Sequence, residues 1–100
     1  MRSESKGYLP NQMRWFIYIL RCGNGDLYTG MTTDLDRRLH EHQSGKGGWF
    51  TKTTQPIELV YHEIYHSEDQ AEQRELQLKG WSRRKKLALI AGDRETLKKA

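Results

Sequence analysis

Residues 15–45 read WFIYILRCGNGDLYTGMTTDLDRRLHEHQSG, and this stretch decides the fold. The aromatic and β-branched segment 15–21 predicts a strand, and because it has no polar side, both of its faces should be covered. The cluster Gly-Asn-Gly-Asp at 23–26 predicts a turn, and residues 27–31 predict the returning strand. We therefore expect a β-hairpin that leads directly into a helix.

The length of the hairpin loop decides whether Tyr18 and Tyr28 share a face of the sheet, because side chains alternate along a strand. A two-residue turn at 24–25 would place the two phenols on opposite faces. A three-residue loop at 23–25, with Gly25 at positive φ and a bulge, places them on the same face. We predict the three-residue loop, since a site that uses both tyrosines requires it.

The helix after the hairpin is predicted to begin at Thr33, an N-cap residue with Asp36 three positions on in a pattern like a capping box. Gly45 is predicted to end it. The segment 46–56 is rich in glycine, lysine and threonine and predicts a loop. Residues 57–65 alternate loosely between apolar and polar side chains and predict a third strand.

Two further helices complete the predicted fold. Ser67 with Gln70 forms a second capping box, which predicts a helix that runs to about Lys79, and Ser82 caps a helix at 83–91. Gly80 and Gly92 are the predicted stops, and a short helical turn is expected after residue 93. The order β-β-α-β-α-α, without βαβ alternation, indicates an α+β fold with a small, three-stranded, mainly antiparallel sheet flanked by helices.

The composition fits one domain of 100 residues with a formal net charge of +4. We expect a flexible tail at 1–13, the domain at 14–93 and a short C-terminal tail at 94–100. The single cysteine, Cys22, excludes an internal disulfide. With no membrane-length apolar segment and no signal peptide, we expect a cytoplasmic protein. We also expect a monomer without a small-molecule cofactor. The basic excess suits a polyanionic partner but is common in small proteins.

The first predicted helix places two leucines and two polar residues on one face. Leu35, Arg38, Leu39 and His42 are spaced i, i+3, i+4 and i+7, so the leucines face the sheet and the other two point at the edge of the core. An arginine there needs an anionic partner. The alternative is a structural salt bridge or a snorkelling side chain, and a core tyrosine is likewise the simpler interpretation of each phenol.

The second predicted helix carries a carboxylate on an apolar side. Ala71, Glu75 and Leu78 lie on one face at i, i+4 and i+7. The charge of Glu75 therefore needs a cationic side chain or a metal. The alternative is an ion pair with Arg74 or Lys79. The four histidines lack the grouping of a zinc site, and we do not predict one.

A basic cluster near Trp81 suits contact with nucleic-acid phosphates, and a tryptophan beside it could stack a base. The alternative is a solvated helix face whose tryptophan packs inward, which we favour for Trp81. The candidate nucleic-acid-binding residues are Lys46, Lys52, Lys79, Arg83, Arg84, Lys85 and Lys86.

Together these positions resemble the GIY-YIG nuclease superfamily. Residues 16–18, FIY, match the first motif, and residues 28–30, YTG, match the second. The spacing from Gly30 to Arg38 and on to His42 is also similar. The phenylalanine and the threonine depart from the family's glycine and isoleucine but leave both tyrosines in place. The resemblance spans residues 15 to about 92.

The small single-domain bacterial branch of UPF0213-like proteins is the most similar part of that superfamily. This chain resembles it through YIL, LYTG, the RR…H helix, SGKG, the threonine-rich loop, E…LK-W and KK-ALI. The superfamily acts in restriction, intron homing, repair and processing of branched DNA, and the choice of substrate stays open.

The resemblance implies hydrolysis of phosphodiester bonds, most readily in DNA, with one divalent metal, Mg²⁺ or Mn²⁺. It implies that Glu75 binds the metal, that Arg38 clamps the scissile phosphate and that Tyr18 is the general base. Tyr28 would position the water or phosphate. A free phenol has a pKa of about 10, so Arg38, His42 and the metal would have to favour the phenolate.

Two interpretations from other classes stay open. The chain could be a non-catalytic nucleic-acid-binding module in which the same residues only stabilise the fold, and such a module needs no metal. A purely structural partner of a larger complex is the third interpretation.

Overall fold

A computed structural model describes residues 14–44 and 57–99 of the chain. The predicted tail 1–13, the predicted stop at Gly45, and Lys46 and Lys52 lie outside the described residues. The elements in chain order are β1 Trp15–Cys22, β2 Leu27–Thr32, α1 Leu35–Gln43, β3 Ile57–Tyr65, α2 Glu68–Lys79, α3 Arg83–Ala91 and α4 Arg94–Lys99.

The three strands form one antiparallel sheet in the order β2-β1-β3. This confirms the predicted α+β fold, with the apolar strand β1 in the centre. Both faces of β1 are covered: Ile17 and Tyr18, which point in opposite directions, are both buried. None of the helices in the described part of the chain is long and apolar enough to span a membrane.

The hairpin has the predicted three-residue loop. The Cys22 N–H donates to the Asp26 carbonyl at 2.9 Å, the Gly25 N–H donates to the Cys22 carbonyl at 2.8 Å, and Gly25 has φ of 91°. This is the pattern of a three-residue loop that ends in a left-handed bulge residue. Tyr18 consequently pairs with Gly30, and Tyr28 comes to the same face of the sheet as Tyr18.

The two faces of the sheet carry two separate apolar clusters. On one face, Leu35 and Leu39 of α1 pack against a cluster that contains Tyr18 and Leu20. On the other, Ile17 packs with residues of α2, and Trp81 and Leu89 lie against that cluster. The sheet is therefore covered by α1 on one side and by α2 and α3 on the other.

The first helix begins one residue later than predicted. Asp34, and not Thr33, is the N-cap, because its carboxylate accepts from the Arg37 N–H at 3.0 Å. The Asp34 N–H in turn donates to the Thr32 hydroxyl at 3.1 Å, which fixes the turn between strand and helix. The helix ends at the C-cap Ser44. The predicted caps Ser67 and Ser82, and the stops Gly80 and Gly92, are confirmed.

A polar network that the sequence did not predict joins β3 to α2. The Arg74 guanidinium donates to both carboxylate oxygens of Glu63, at 2.9 Å each. The hydroxyls of Tyr61 and Tyr65 donate to the same carboxylate. Burial alone would raise the pKa of Glu63, but these hydrogen bonds outweigh it and leave the pKa lowered.

We expect Glu63→Gln to lower the free energy of unfolding by about 2 kcal/mol, because the half-buried Arg74 charge loses its partner. The melting temperature should fall by roughly 10 °C. The pKa of Glu63 in the folded protein lies below the ordinary value of 4.5. The contribution of Glu63 to the free energy of unfolding is therefore present above pH 4.5 and is lost as the pH falls through the folded pKa. The melting temperatures of the wild type and the variant should therefore converge as the pH falls, and thermal melts between pH 7 and pH 3 measure this.

Glu58 is the matched control for this prediction, because it is an exposed glutamate on the same strand. Glu58→Gln should leave the melting temperature almost unchanged at every pH. Equal losses in the two variants would contradict a specific role for the Glu63 network.

Candidate active site

Tyr18 is the centre of the candidate site. It is 2% exposed on the central strand, and its hydroxyl lies 3.1 Å from Nε2 of His42. Its ring centroid is 6.3 Å from that of Tyr28. The structure therefore brings both predicted tyrosines and the predicted histidine together on the α1 face.

Gly30 makes room for this phenol. It pairs with Tyr18 across the hairpin, and a Cβ atom at this position would collide with the hydroxyl and the ring of Tyr18. The glycine of the second motif is therefore required for space, a role that its motif alone does not indicate. The register of the hairpin, which pairs Tyr18 with Gly30, was the signal that could have indicated this role.

His42 lies deeper than predicted. It is fully buried, whereas the helical wheel placed it at the edge of the core, because the rings of Tyr18 and Tyr28 enclose it at centroid distances of 5.9 and 5.1 Å. Burial, and then the nearby Arg38 charge, lower the pKa of His42. With this lowered pKa the imidazole is neutral at pH 7. When its proton is on Nδ1, its Nε2 can accept a hydrogen bond from the Tyr18 hydroxyl.

Arg38 is held between two partners. Its Nη1 donates to Oε1 of Glu41 at 3.0 Å, so the salt bridge that the sequence left open as an alternative is present. The guanidinium also lies close enough to the Tyr18 hydroxyl to lower the pKa of that phenol. Glu41 was missed in the sequence, although its i+3 spacing from Arg38 on the helix was a usable signal.

Tyr18 does not have the lowered pKa that a phenolate base would need. Burial raises the pKa of its phenol, Tyr28 and Glu75 add to that effect, and the opposing influence of Arg38 is too small to reverse it. Arg38 lowers the pKa of Tyr18 as expected, and the expectation that Arg38, His42 and a metal together favour the phenolate stays a prediction. The physical reason for the raised pKa is first the burial of the phenol, and then the charges of Tyr28 and Glu75.

Glu75 lies on the helix that covers the opposite face of the sheet. It lies on α2, its side chain is 15% exposed, and its Oε2 lies 3.4 Å from Nζ of Lys79. It is nevertheless close enough to raise the pKa of Tyr18. Helix α2 packs against β2, which is an edge strand of the sheet. Arg74, the other possible partner for Glu75, pairs with Glu63 instead.

A divalent metal at this site would depend on Glu75. Within residues 14–44 and 57–99 no group of three or more histidine, cysteine or acidic side chains could enclose a metal ion. Mg²⁺ does not need such a group, because it is commonly bound through one or two carboxylates together with water and substrate phosphates. One half-buried carboxylate whose charge acts on the Tyr18 phenol therefore fits Mg²⁺ bound with a substrate, and does not fit a structural metal.

The basic residues after α2 lie around the hairpin turn and Trp81. Arg83 donates from Nη1 to the Gly25 carbonyl at 2.7 Å, and with Lys86 it lines a cleft of about 290 Å³ beside the turn. Lys85 stacks over the Trp81 ring at 4.3 Å from the centroid. The ring packs inward, as predicted. Arg84 is exposed.

A family model described as the GIY-YIG catalytic domain matches residues 14–88. A UPF0213 protein from Bacillus pumilus is 45% identical over 71 residues, which are 71% of this chain and 72% of that protein. A UPF0213 protein from Staphylococcus aureus is 43% identical over 75 residues, which are 75% of this chain and 92% of that protein.

Two solved structures are similar in fold. The solution NMR structure of a UPF0213 protein from Bacillus halodurans has a TM-score of 0.54 and 42% identity, and the match covers 81% of this chain and 86% of that one. The solution NMR structure of a protein from E. faecalis has a TM-score of 0.58 and 29% identity, and the match covers 84% of this chain and 90% of that one.

Proposed function

The chain belongs to the GIY-YIG catalytic domain family, in its UPF0213 branch, and from that premise we propose that it is a metal-dependent endonuclease. The family is one of nucleases, so the substrate is a nucleic acid. DNA is the substrate we propose, in repair or in the processing of structured DNA. The observation that carries the proposal is the buried Tyr18 hydroxyl, 3.1 Å from Nε2 of His42 and beside Arg38.

The raised pKa of Tyr18 favours a proton relay over a standing phenolate. In this relay the Tyr18 oxygen accepts a proton from the attacking water while its own proton passes to Nε2 of His42. The water oxygen then bonds to phosphorus, and the bond to the leaving oxygen breaks. The neutral state of His42 supports this role, because only an unprotonated Nε2 can receive the proton.

Arg38 and Tyr28 act on the phosphate. The guanidinium presents several N–H donors in a fixed plane, and it retains donors that do not bond to Glu41, so it can bind the phosphoryl oxygens as charge builds on them. Tyr28 lies on the same face and positions the water or the phosphate. A metal held by Glu75 would act as a Lewis acid on the phosphate and the leaving oxygen.

The test of the proposal is a panel of labelled duplex, flap, single-stranded and RNA substrates, incubated with and without Mg²⁺. We expect Mg²⁺-dependent cleavage, and we expect Tyr18→Phe to slow it by about 10²-fold or more, because the relay loses its hydroxyl. Tyr65→Phe removes a hydroxyl on the opposite face of the sheet and should leave cleavage unchanged. Equal rates for the wild type and Tyr18→Phe would contradict the relay.

A non-catalytic binding module is the second candidate, and the two ion pairs Arg38–Glu41 and Glu75–Lys79 favour it. They give structural partners to the two charged residues on which catalysis would depend. A binding module would bind nucleic acid without metal, with affinity that falls steeply as salt rises, and would leave every substrate of the panel intact.

A further inference from the structure

A partly exposed surface continues the candidate site along the sheet. Phe16 lies on the same face as Tyr18, two residues earlier in β1, and it pairs with Ile64 of β3. Its ring centroid is 6.3 Å from that of His62. Ile64 is 44% exposed, His62 is exposed, and Phe16 is half-buried. We call Phe16, His62 and Ile64 the platform.

We propose that the platform stacks an unpaired nucleobase of the substrate, next to the phosphate bound at Tyr18. The inference rests on the proposed function for the position of that phosphate. It assigns to this surface a ligand chemistry of its own, a flat aromatic base that is not buried in a duplex.

The position of the platform supports this occupant. His62 lies directly opposite Tyr18 on the neighbouring strand, and two residues of a strand span about 7 Å. A nucleotide whose phosphate contacts the site can therefore place its base, or that of its neighbour, over Phe16. The platform is thus continuous with the candidate active site.

The chemistry of the platform also favours a base. Rings exposed on a sheet face stack nucleobases in several RNA-binding and single-strand-binding modules, and this stacking tolerates any base because each has an aromatic face. In a duplex these faces are covered by neighbouring base pairs. The platform therefore favours a strand whose bases are free at the point of contact, such as a single strand, a flap or a frayed end.

The departure of Phe16 from the family's glycine is consistent with this role. A glycine at that position would leave Tyr18 and the hairpin pairing in place but would supply no ring. Phe16 is therefore not needed to build the phenol pair, and its half-exposed side chain remains available to a ligand.

The experiment measures binding in EDTA, so that neither metal nor cleavage contributes. Labelled single-stranded DNA, single-stranded RNA and duplex DNA of one length are compared with a single strand that carries consecutive abasic sites. We expect the wild type to bind the abasic strand about 10-fold more weakly than the normal strand, because stacking is lost while the phosphates remain. The DNA and RNA arms show which of the two supplies the base.

Phe16→Ala should weaken binding of the normal strand about 10-fold and should change duplex binding less than 2-fold. Phe16→Trp should restore the affinity. Phe16→Leu keeps an apolar side chain without a ring, and should behave like Phe16→Ala even if the alanine variant is too unstable to assay. Leu76→Ala is the control, because Leu76 is a 62% exposed hydrophobic residue on α2, away from the platform, and should not change binding.

Equal binding of the normal and abasic strands, or equal losses on single-stranded and duplex DNA, would overturn the proposal. So would an absence of any nucleic-acid binding, in which case the platform faces another protein surface. Binding that depends on Phe16 without any cleavage in Mg²⁺ would refute the nuclease and leave the base site intact.

Discussion

Glu75→Gln is expected to reduce Mg²⁺-dependent cleavage by several orders of magnitude, because the amide keeps the shape of the side chain and removes the charge that would bind the metal. Binding of nucleic acid should persist, and it should strengthen slightly because one carboxylate no longer repels phosphate. Cleavage rates with saturating Mg²⁺, together with binding in EDTA, measure both effects on one variant.

The stability of the same variant separates enzyme from binding module. Glu75 pairs with Lys79 at 3.4 Å, but the lysine is largely exposed, and such i,i+4 pairs contribute about 0.5 kcal/mol or less. We therefore expect a change in the free energy of unfolding within about 0.5 kcal/mol. A loss of 1 kcal/mol or more together with full cleavage would assign Glu75 to the fold. Glu72→Gln, on an exposed position of the same helix, is the control.

Arg38→Ala should lower the cleavage rate by about 10²-fold or more, since it removes a donor placed beside the reacting phosphate. The variant also loses the contact with Glu41 and the charge beside Tyr18, so we expect a loss of roughly 1 kcal/mol in the free energy of unfolding. Arg38→Lys should recover the stability better than the rate, because an ammonium lacks the planar set of donors. Steady-state cleavage and thermal melts give the two readings.

Arg37→Ala is the matched control for this prediction. Arg37 lies next to Arg38, is 55% exposed, and pairs with the same Glu41, but it is not among the charges that act on Tyr18. Its loss should leave the cleavage rate nearly unchanged. A comparable fall in rate for both variants would mean that Arg38 acts through helix α1 and not on the phosphate.

The sequence predicted the fold well because its signals are local and repeated. The apolar strand at 15–21, the glycine-rich turn and the serine caps each depend on a few neighbouring residues, and each is found where expected. Even the hairpin loop followed from one constraint, that Tyr18 and Tyr28 share a face. The first helix cap was misplaced by one residue because Thr33 and Asp34 are both good caps, and the turn bond to Thr32 decides between them.

The electrostatics of the site could not be predicted in the same way. The pKa of Tyr18 depends on how deeply its phenol is buried and on the charges that Arg38, Tyr28 and Glu75 place around it, and neither follows from spacing along one helix. The Glu63–Arg74 pair joins residues 11 positions apart on different elements, so no periodicity indicates it. The sequence identified candidate residues for the site, and tertiary packing sets their charge states.

The fit of Tyr18 over Gly30 makes the two sequence motifs a single steric unit. A methyl group at position 30 would occupy the place of the phenol, so position 30 can enlarge only if position 18 becomes smaller, and the hydroxyl beside His42 would then be lost. A single substitution that enlarges position 30 therefore displaces the phenol of the first motif. Engineering of this scaffold therefore has to change position 18 together with position 30.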